Sequence, residues 1–343
     1  MRSVSSDVRI FFVGAMMLAA CAKGSDGGDT FDMNGVTAEP GAAASGDSGM
    51  GSTTMVNTGP FINTGDATIP DPDAGKSPID PSKVVKTEMG GYQLGPEITQ
   101  MTGKIDTGIN ASEEGCGTVV GIVRDFKPPT EQGGHADFET YHGNGVSPGL
   151  VAAALSPDNK PIYTGICEAS APMGMCPFGQ ETSNKAAFDM WYRNTAIINK
   201  PYLVYLIFAQ NGTLATLDSQ LFFPLDNAGF GNSGSGEDHN PHNFDFTTEL
   251  HTKFKYAGGE IFSFQGDDDL WVFINGKLAI DLGGLHEARM AMVDLDASAT
   301  MLGLTKDKVY NFDLFHAERH QVGSHFHVDT TLTFSDCGDI PAR

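Results

Sequence analysis

The clearest pattern of apolar and polar positions lies in residues 266–286 and predicts a β-hairpin. Residues 270–274 are a short, wholly apolar run of β-branched and aromatic residues, as expected for a strand buried on both faces. Asn275-Gly276 follows, and both residues tolerate the positive φ of a type I′ turn. Apolar residues then alternate with smaller or polar ones over residues 278–282, which predicts the returning strand.

Other apolar runs of strand length recur between residues 115 and 338, separated by turns rich in Gly and Asn. Short strands at this spacing are typical of an antiparallel β-sandwich, so we predict an all-β domain over residues 115–338. The strands are expected at residues 118–123, 202–209, 261–264, 290–295, 309–315 and 325–334.

The first 21 residues predict an export signal. Arg2 and Arg9 precede an apolar run, residues 10–20. This run is shorter than the roughly 20 residues needed to span a bilayer. The run ends in Leu-Ala-Ala-Cys and resembles a bacterial lipobox, which implies acylation of Cys21. Ala22 resembles the residue that follows the cysteine in lipoproteins of an outer membrane. We therefore expect a lipid anchor and exposure at the cell surface; an ordinary signal peptide is the alternative.

Residues 22–112 have the composition of a disordered tether. Gly, Ser, Asp, Thr, Ala and Pro dominate, aromatic residues are scarce and no periodicity persists. Such a segment buries too little apolar surface to offset its conformational entropy.

The charge balance excludes some partners. Asp and Glu number 43 against 21 Lys and Arg, for a net charge of -22. This argues against nucleic acid, whose phosphates require basic residues, and against peripheral binding to anionic lipid.

Three consecutive carboxylates, Asp267, Asp268 and Asp269, precede the buried strand of the hairpin. They are either a solvated acidic turn or a site for a hard cation such as Ca²⁺, which takes 6–8 oxygen ligands. The spacing of an EF-hand is missing.

The hairpin resembles the fibro-slime domain of bacterial surface proteins and secreted slime-mould signalling proteins, which is similar to the PA14 superfamily of β-sandwiches. The resemblance extends over about residues 115–338. It includes Arg-Asp-Phe at 124–126, Asp-Phe-Glu at 137–139, Phe-Phe-Pro-Leu-Asp at 222–226, His-Asn-Phe-Asp-Phe-Thr at 242–247, Phe-Lys-Tyr at 254–256, Gly-Leu at 303–304 and Ala-Glu-Arg at 317–319.

In PA14-type lectins, two adjacent Asp residues joined by a cis peptide hold a Ca²⁺ that binds sugar hydroxyls. The resemblance assigns this pair to Asp267 and Asp268, with Asp269 at a position that is usually Gly. A loop that closes over the calcium implies Glu318 as a further metal ligand and Ser324 as a ligand-binding residue. His286, which ends the hairpin segment, is the other ligand-binding candidate. A structural Glu318–Arg319 salt bridge is the alternative for that loop.

Five cysteines are present, and assigning Cys21 to the lipid leaves an even number, as in exported proteins with two disulfides. Three pairings are possible. We favour Cys167–Cys176, which closes a short loop, and Cys116–Cys337, which ties the ends of the domain. A zinc site is the rival, but no C-x-x-C pair occurs.

Enzyme signatures are missing. Residues 316–320, His-Ala-Glu-Arg-His, lack the H-E-x-x-H spacing of a zinc protease and predict a loop, and no nucleophile elbow or phosphate-binding loop occurs. Asp267 and Asp268 are adjacent rather than opposed across a cleft, as glycoside hydrolysis would require. His325 and His327 share one face of a predicted strand, where they could bind zinc but are more often half-exposed.

Trp191, Tyr192 and Trp271 could stack on sugars, although large aromatic residues usually belong to the core, which we favour. We expect a binding module rather than an enzyme: an adhesin that binds a cell-surface glycan or polysaccharide through calcium. The alternative is a structural matrix or envelope protein in which any cation only stabilises the fold.

Overall fold

The computed structural model describes residues 77–99, 104–105, 107–112, 115–338 and 340. The predicted signal peptide, Cys21 and most of the predicted tether lie outside these residues. The strands are β1 (Val85–Lys86), β2 (Gly91–Glu97), β3 (Thr118–Asp125), β4 (Lys200–Ile207), β5 (Ala209–Asn211), β6 (Leu214–Ser219), β7 (Gly234–Ser235), β8 (Pro241–His242), β9 (Phe246–Tyr256), β10 (Ile261–Gly266), β11 (Asp269–Ile274), β12 (Lys277–Leu282), β13 (Arg289–Asp294), β14 (Lys308–Glu318), β15 (Phe326–Thr330) and β16 (Phe334–Asp336). The helices are α1 (Lys185–Phe188) and α2 (Leu295–Leu302).

Two sheets make up the sandwich. The larger has the order β1-β2-β4-β3-β9-β14-β11-β12, with β16 also paired to β9, and the smaller has the order β13-β10-β15-β6-β5. The short β7–β8 ribbon is separate. The pairings along both sheets are antiparallel, so the all-β antiparallel prediction is confirmed.

Strand β11 is covered on both faces, which explains its uninterrupted apolar sequence. Leu270, Val272 and Ile274 belong to the core between the two sheets. Trp271 and Phe273 lie on the opposite face, in a second core with residues from the long connection between β3 and β4. Residues 126–199 therefore cover the outer face of the larger sheet, although α1 is the one helix and no strand lies in this segment.

The central hairpin forms as predicted. Strands β11 and β12 pair antiparallel, and Asn275 and Gly276 have φ values of 54° and 71°, as a type I′ turn requires. The Asn275 amide also donates to the carbonyl of Leu302 at 2.9 Å. The turn is thereby attached to the end of α2.

The predicted tether, residues 22–112, is too long at its C-terminal end. Strand β2 pairs with β4 in the larger sheet, and β1 pairs with β2. Tyr92 enters the core, and its hydroxyl donates to the carbonyl of Leu221 at 3.2 Å. A few apolar residues were enough to add two strands at this side of the sheet, because β4 offers backbone partners to β2 and β2 offers them to β1.

Two further predictions were wrong in detail. Residues 325–334 form two strands in different sheets, since β15 pairs with β10 and β6 whereas β16 pairs with β9. The alternation of apolar residues indicates a buried face, but it does not indicate which sheet provides the partner. His316 to Glu318 form the end of β14 rather than a loop, because Ala317 and His316 continue the pairing with β11.

Disulfides join Cys116 to Cys337 and Cys167 to Cys176, the connectivity that the sequence favoured. The first ties the start of β3 to the end of the described domain, and the second closes a surface loop. Within the described residues, neither helix has the length and apolar character to cross a bilayer.

Candidate functional site

The predicted site residues meet at one end of the sandwich because of strand pairing. Asp267 and Asp268 connect β10 of the smaller sheet to β11 of the larger one. Strand β14 pairs with β11 and ends at Glu318, while β15, which begins just after His325, pairs with β10. The two connections between the sheets, residues 267–268 and 319–325, therefore lie side by side.

Asp267 and Asp268 are joined by a cis peptide bond, as the resemblance implied. Asp267 accepts hydrogen bonds from the backbone N–H of His325 at 2.6 Å and from its ring Nδ1 at 2.8 Å. Asp268 accepts from the backbone N–H of Arg319 at 3.1 Å and of His286 at 3.3 Å. Both carboxylates are thus oriented by the neighbouring connections, and both line a cavity.

Asp269 has a different position. It is fully buried; its Oδ2 accepts from Arg319 Nε at 2.7 Å, and its Oδ1 accepts from the Gly284 N–H at 2.6 Å. The Arg319 guanidinium also donates to the carbonyls of Asp137 and Glu181 and lies 4.6 Å from the Trp191 ring. Asp269 is therefore half of an interior ion pair, and it is not among the residues lining the cavity.

Glu318 is the least satisfied carboxylate of the site. It is fully buried, and neither side-chain oxygen has a hydrogen-bond partner. Burial raises its pKa well above the usual range, and the nearby charges of Asp268 and Asp267 raise it further, against the smaller lowering effect of the Ser324 hydroxyl and the His320 backbone, which lie close by. The pKa of Asp268 is also raised, mainly by burial. The positive charge of Arg319 opposes this rise, and the negative charges of Asp269 and Asp267 add to it. The predicted Glu318–Arg319 salt bridge is replaced by the Arg319–Asp269 pair.

Ser324 and His286 are engaged by the protein. The Ser324 hydroxyl lies beside Glu318 but donates to the carbonyl of Phe222 at 2.8 Å, and the side chain is buried. Both ring nitrogens of His286 lie near backbone carbonyls, Nδ1 3.0 Å from that of Glu287 and Nε2 3.1 Å from that of Leu282. These two side chains support the site, and neither offers a free polar atom.

The cavity beside Asp267 and Asp268 has a volume of about 550 Å³, within the range of small-molecule sites. Its wall brings together residues far apart in sequence: His142, Asn144, Glu237, His286, Glu287 and His320. The rings of His142 and His320 are 4.7 Å apart. Sequence reasoning missed His142 and Asn144, because nothing in their local sequence connects them with a carboxylate pair more than a hundred residues away.

The acidic side chains of the site carry the oxygen atoms that a hard cation takes as ligands. Asp267, Asp268 and Glu318 supply oxygen atoms, of which the two on Glu318 have no partner. Among the described residues, no three Asp, Glu or His side chains of this site place one ligand atom each within 4.8 Å of one another. A calcium ion here would therefore take several of its 6–8 ligands from backbone, water or a bound molecule.

The other candidates lie elsewhere. His327 is between Asp218 and Asp329, at 3.1 and 3.0 Å, on the smaller sheet, whereas His325 contacts Asp267. Trp191, Tyr192 and Trp271 are buried in the second core, as favoured from the sequence. Cys21 lies outside the described residues.

Comparison with known proteins shows what this region is similar to. The PA14 domain family matches residues 205–341, which include the acidic trio and Glu318. Protein psiJ of Dictyostelium discoideum is 36% identical over 225 residues, covering 61% of this chain and 30% of the relative. Protein psiR of the same organism is 35% identical over 218 residues, covering 59% and 21%. The chain thus spans less than a third of the length of these relatives.

Among solved structures, a chain described as the PA14 sugar-binding domain from an RTX adhesin has 10% sequence identity and a TM-score of 0.25. The match covers 62% of this chain and 90% of that one.

Proposed function

We propose that the cavity beside Asp267 and Asp268 binds carbohydrate with the help of a calcium ion, and that the protein serves in adhesion. The observation that carries the proposal is Glu318, whose two buried oxygens lack partners behind two carboxylates that line an open cavity. A buried carboxylate without a partner is unfavourable, and a divalent cation would offset it. PA14-type lectins, which the sequence resembles, use a cis-linked Asp pair in this way.

The residues of the chain have distinct roles in this proposal. The backbone N–H groups of His286, Arg319 and His325 orient the Asp267 and Asp268 carboxylates. Bound calcium would coordinate vicinal sugar hydroxyls directly. At the rim, the exposed side chains of His142 and Asn144 are placed to hydrogen-bond other hydroxyls of the sugar.

The test is calcium binding followed by glycan binding. Calorimetry with Ca²⁺ should detect a site in the wild type that is lost in the double variant Asp267→Asn, Asp268→Asn. A glycan array should give calcium-dependent binding that chelator and the double variant both abolish. Asp307→Asn, an exposed carboxylate away from the cavity, is the matched control and should bind like the wild type. Glycan binding by the double variant that equals the wild type would contradict the proposal.

The competing function is a structural matrix or envelope protein. It would show calcium binding and calcium-dependent stability but no glycan on the array. Hydrolysis of a bound polymer would instead indicate an enzyme. We propose binding without catalysis, because both Asp carboxylates accept backbone hydrogen bonds and stand side by side rather than across a cleft.

We further propose that acylated Cys21 anchors the protein in an outer membrane, with the folded domain exposed at the cell surface. The proposal is supported by the Leu-Ala-Ala-Cys sequence at residues 18–21. Labelling with a fatty-acid analogue in a bacterial host should mark the wild type, and Cys21→Ala should lose the label and leave the membrane fraction. Labelling of Cys21→Ala to the wild-type extent would exclude this anchor.

A further inference from the structure

One aromatic side chain stands apart from the rest. Among the Phe, Tyr and Trp side chains of the described residues, Phe178 alone is exposed, with 43% of its surface accessible. The aromatic residues that the sequence offered for sugar stacking are buried. An exposed phenylalanine loses hydrophobic stabilisation unless something covers it. The position of Phe178 relative to the cavity therefore decides whether a bound ligand could cover its ring.

Phe178 lies beside the proposed sugar cavity. Its ring packs on Gly145, where a Cβ atom would be only 2.4 Å from the ring Cζ. The Gly145 N–H donates to the carbonyl of Leu285 at 3.2 Å. Leu285, Gly143 and Asn144 all line the cavity. A single strip of backbone thus separates the exposed ring from the cavity wall.

The segment that carries Phe178 is held in place on both sides. The Cys167–Cys176 disulfide closes the loop just before it. After it, the Gln180 side-chain amide donates to the Tyr141 hydroxyl at 3.0 Å and to the Thr182 carbonyl at 3.2 Å. The Tyr141 hydroxyl lies 2.9 Å from that of Ser183. A platform fixed in this way loses little conformational entropy on binding.

We propose that Phe178 forms a second sugar subsite, so that the ligand is an oligosaccharide or polysaccharide rather than a single sugar. One sugar unit occupies the cavity, and a neighbouring unit places the apolar face of its ring on the Phe178 ring. This inference rests on the proposed function, because it takes the cavity as the first subsite. To that function it adds that the ligand has more than one sugar unit and that Phe178 contacts the second unit.

The charges around the cavity restrict the ligand further. Asp267, Asp268, Glu237 and Glu287 line it, and the whole chain has a net charge of -22. Calcium would offset the charges of Asp267 and Asp268, but Glu237 and Glu287 and the acidic chain as a whole would still repel anionic sugars, such as uronic acids. The polymer is therefore one of neutral sugars.

Binding of neutral oligosaccharides of increasing length tests the subsite. The probes are the monosaccharides and tetrasaccharides of glucose, mannose and galactose, with matched uronic acids, measured with calcium present. In the wild type, a preferred tetrasaccharide should bind about tenfold more tightly than its monosaccharide, equivalent to about 1.4 kcal/mol. Phe178→Ala should remove this preference and leave monosaccharide and calcium affinities unchanged, while Phe178→Tyr should retain it.

Two further variants make the test specific. Gly145→Ala retains the phenylalanine at position 178, but the added methyl would collide with its ring and displace it, so this variant should also lose the length preference. Val309→Ala, an exposed apolar residue at the opposite end of β14 from Glu318, should behave as the wild type. The proposal is overturned if Phe178→Ala keeps the preference, or if it weakens monosaccharide and tetrasaccharide binding equally.

The two proposals fail in different ways. If glycan binding is calcium-dependent but independent of length, the second subsite is wrong and the proposed function stands. If binding is length-dependent through Phe178 but unaffected by chelator and by the Asp267→Asn, Asp268→Asn variant, the calcium function is wrong. A wild-type protein that binds none of the probes overturns both.

Discussion

Two buried carboxylates of this domain, Glu249 and Glu318, have opposite surroundings. Glu249 accepts from Arg124 Nη1 at 2.6 Å, forms a second ion pair with Lys160, and lies 2.5 Å from His251 Nε2. Burial raises its pKa, but Lys160 and Arg124 outweigh burial and hold the pKa well below the usual range. Glu318 has no hydrogen-bond partner, and its pKa is raised.

The difference separates a structural carboxylate from a candidate functional one. The charges around Glu249 are compensated within the fold, under the connection that covers the larger sheet. Glu318 lies behind an open cavity, and the charged side chains that act on it, Asp268 and Asp267, are also acidic. A buried carboxyl group that has no counter-charge and adjoins a cavity is a candidate for binding a cation, whereas a carboxylate paired with buried cations stabilises the fold.

The largest effect is expected for Glu249→Gln. The change leaves Arg124 and Lys160 buried without their counter-charge, so the free energy of unfolding should fall by about 3–5 kcal/mol. Denaturant unfolding measures it. Glu131→Gln, at an exposed position, should change stability by less than about 0.5 kcal/mol. A Glu249→Gln protein as stable as this control would mean that the network is not structural.

A smaller effect, dependent on calcium, is expected for Glu318→Gln. Without calcium this variant should be as stable as the wild type or more so, because an unpaired carboxylate is replaced by a neutral group. Calcium at about 100 times its dissociation constant should stabilise the wild type by about 2.7 kcal/mol and the variant by much less. Thermal unfolding with calcium and with chelator measures both. An equal gain in the variant would remove Glu318 from the proposed site.

The smallest effect for a change of one pH unit concerns Asp245, another buried carboxylate with no partner for either oxygen. Burial raises its pKa to about 8, so between roughly pH 4 and 8 the folded state holds a proton that the unfolded chain releases. This group therefore lowers stability as pH rises, by about 1.4 kcal/mol per pH unit.

Asp245→Asn should remove that part of the pH dependence. The measurement is the free energy of unfolding of both proteins at several pH values, with Asp307→Asn as the exposed control. Parallel curves for wild type and Asp245→Asn would show that Asp245 is ionised in the folded state, like Glu249.

Much of the fold could be predicted because its signals are local. The hairpin depends on Asn275-Gly276, where two adjacent residues specify the turn. The run of residues 270–274, apolar on both faces, indicated a strand covered on both sides. The Cys167–Cys176 disulfide could be predicted from the short loop between its cysteines. In each case neighbouring residues contain the information.

The errors share a different cause. Residues 325–334 were assigned to one strand, but the two halves pair with different sheets. Residues 85–97 resemble the tether, yet Tyr92 reaches the core. Asp269 was grouped with its two neighbours as a metal ligand, but its charge is paired with Arg319. Each outcome depends on a partner distant in the chain, which no local pattern specifies.

The sequence by itself determined the all-β class and the central hairpin and located the acidic segment, because propensity, turn chemistry and composition are properties of adjacent residues. Only the tertiary structure decided which carboxylates face the cavity, which is paired with Arg319, and which has no partner. It also placed Phe178 next to Gly145 and the cavity wall. These roles are set by strand pairing and by the long connection that covers the larger sheet, and they exist only once the chain is folded.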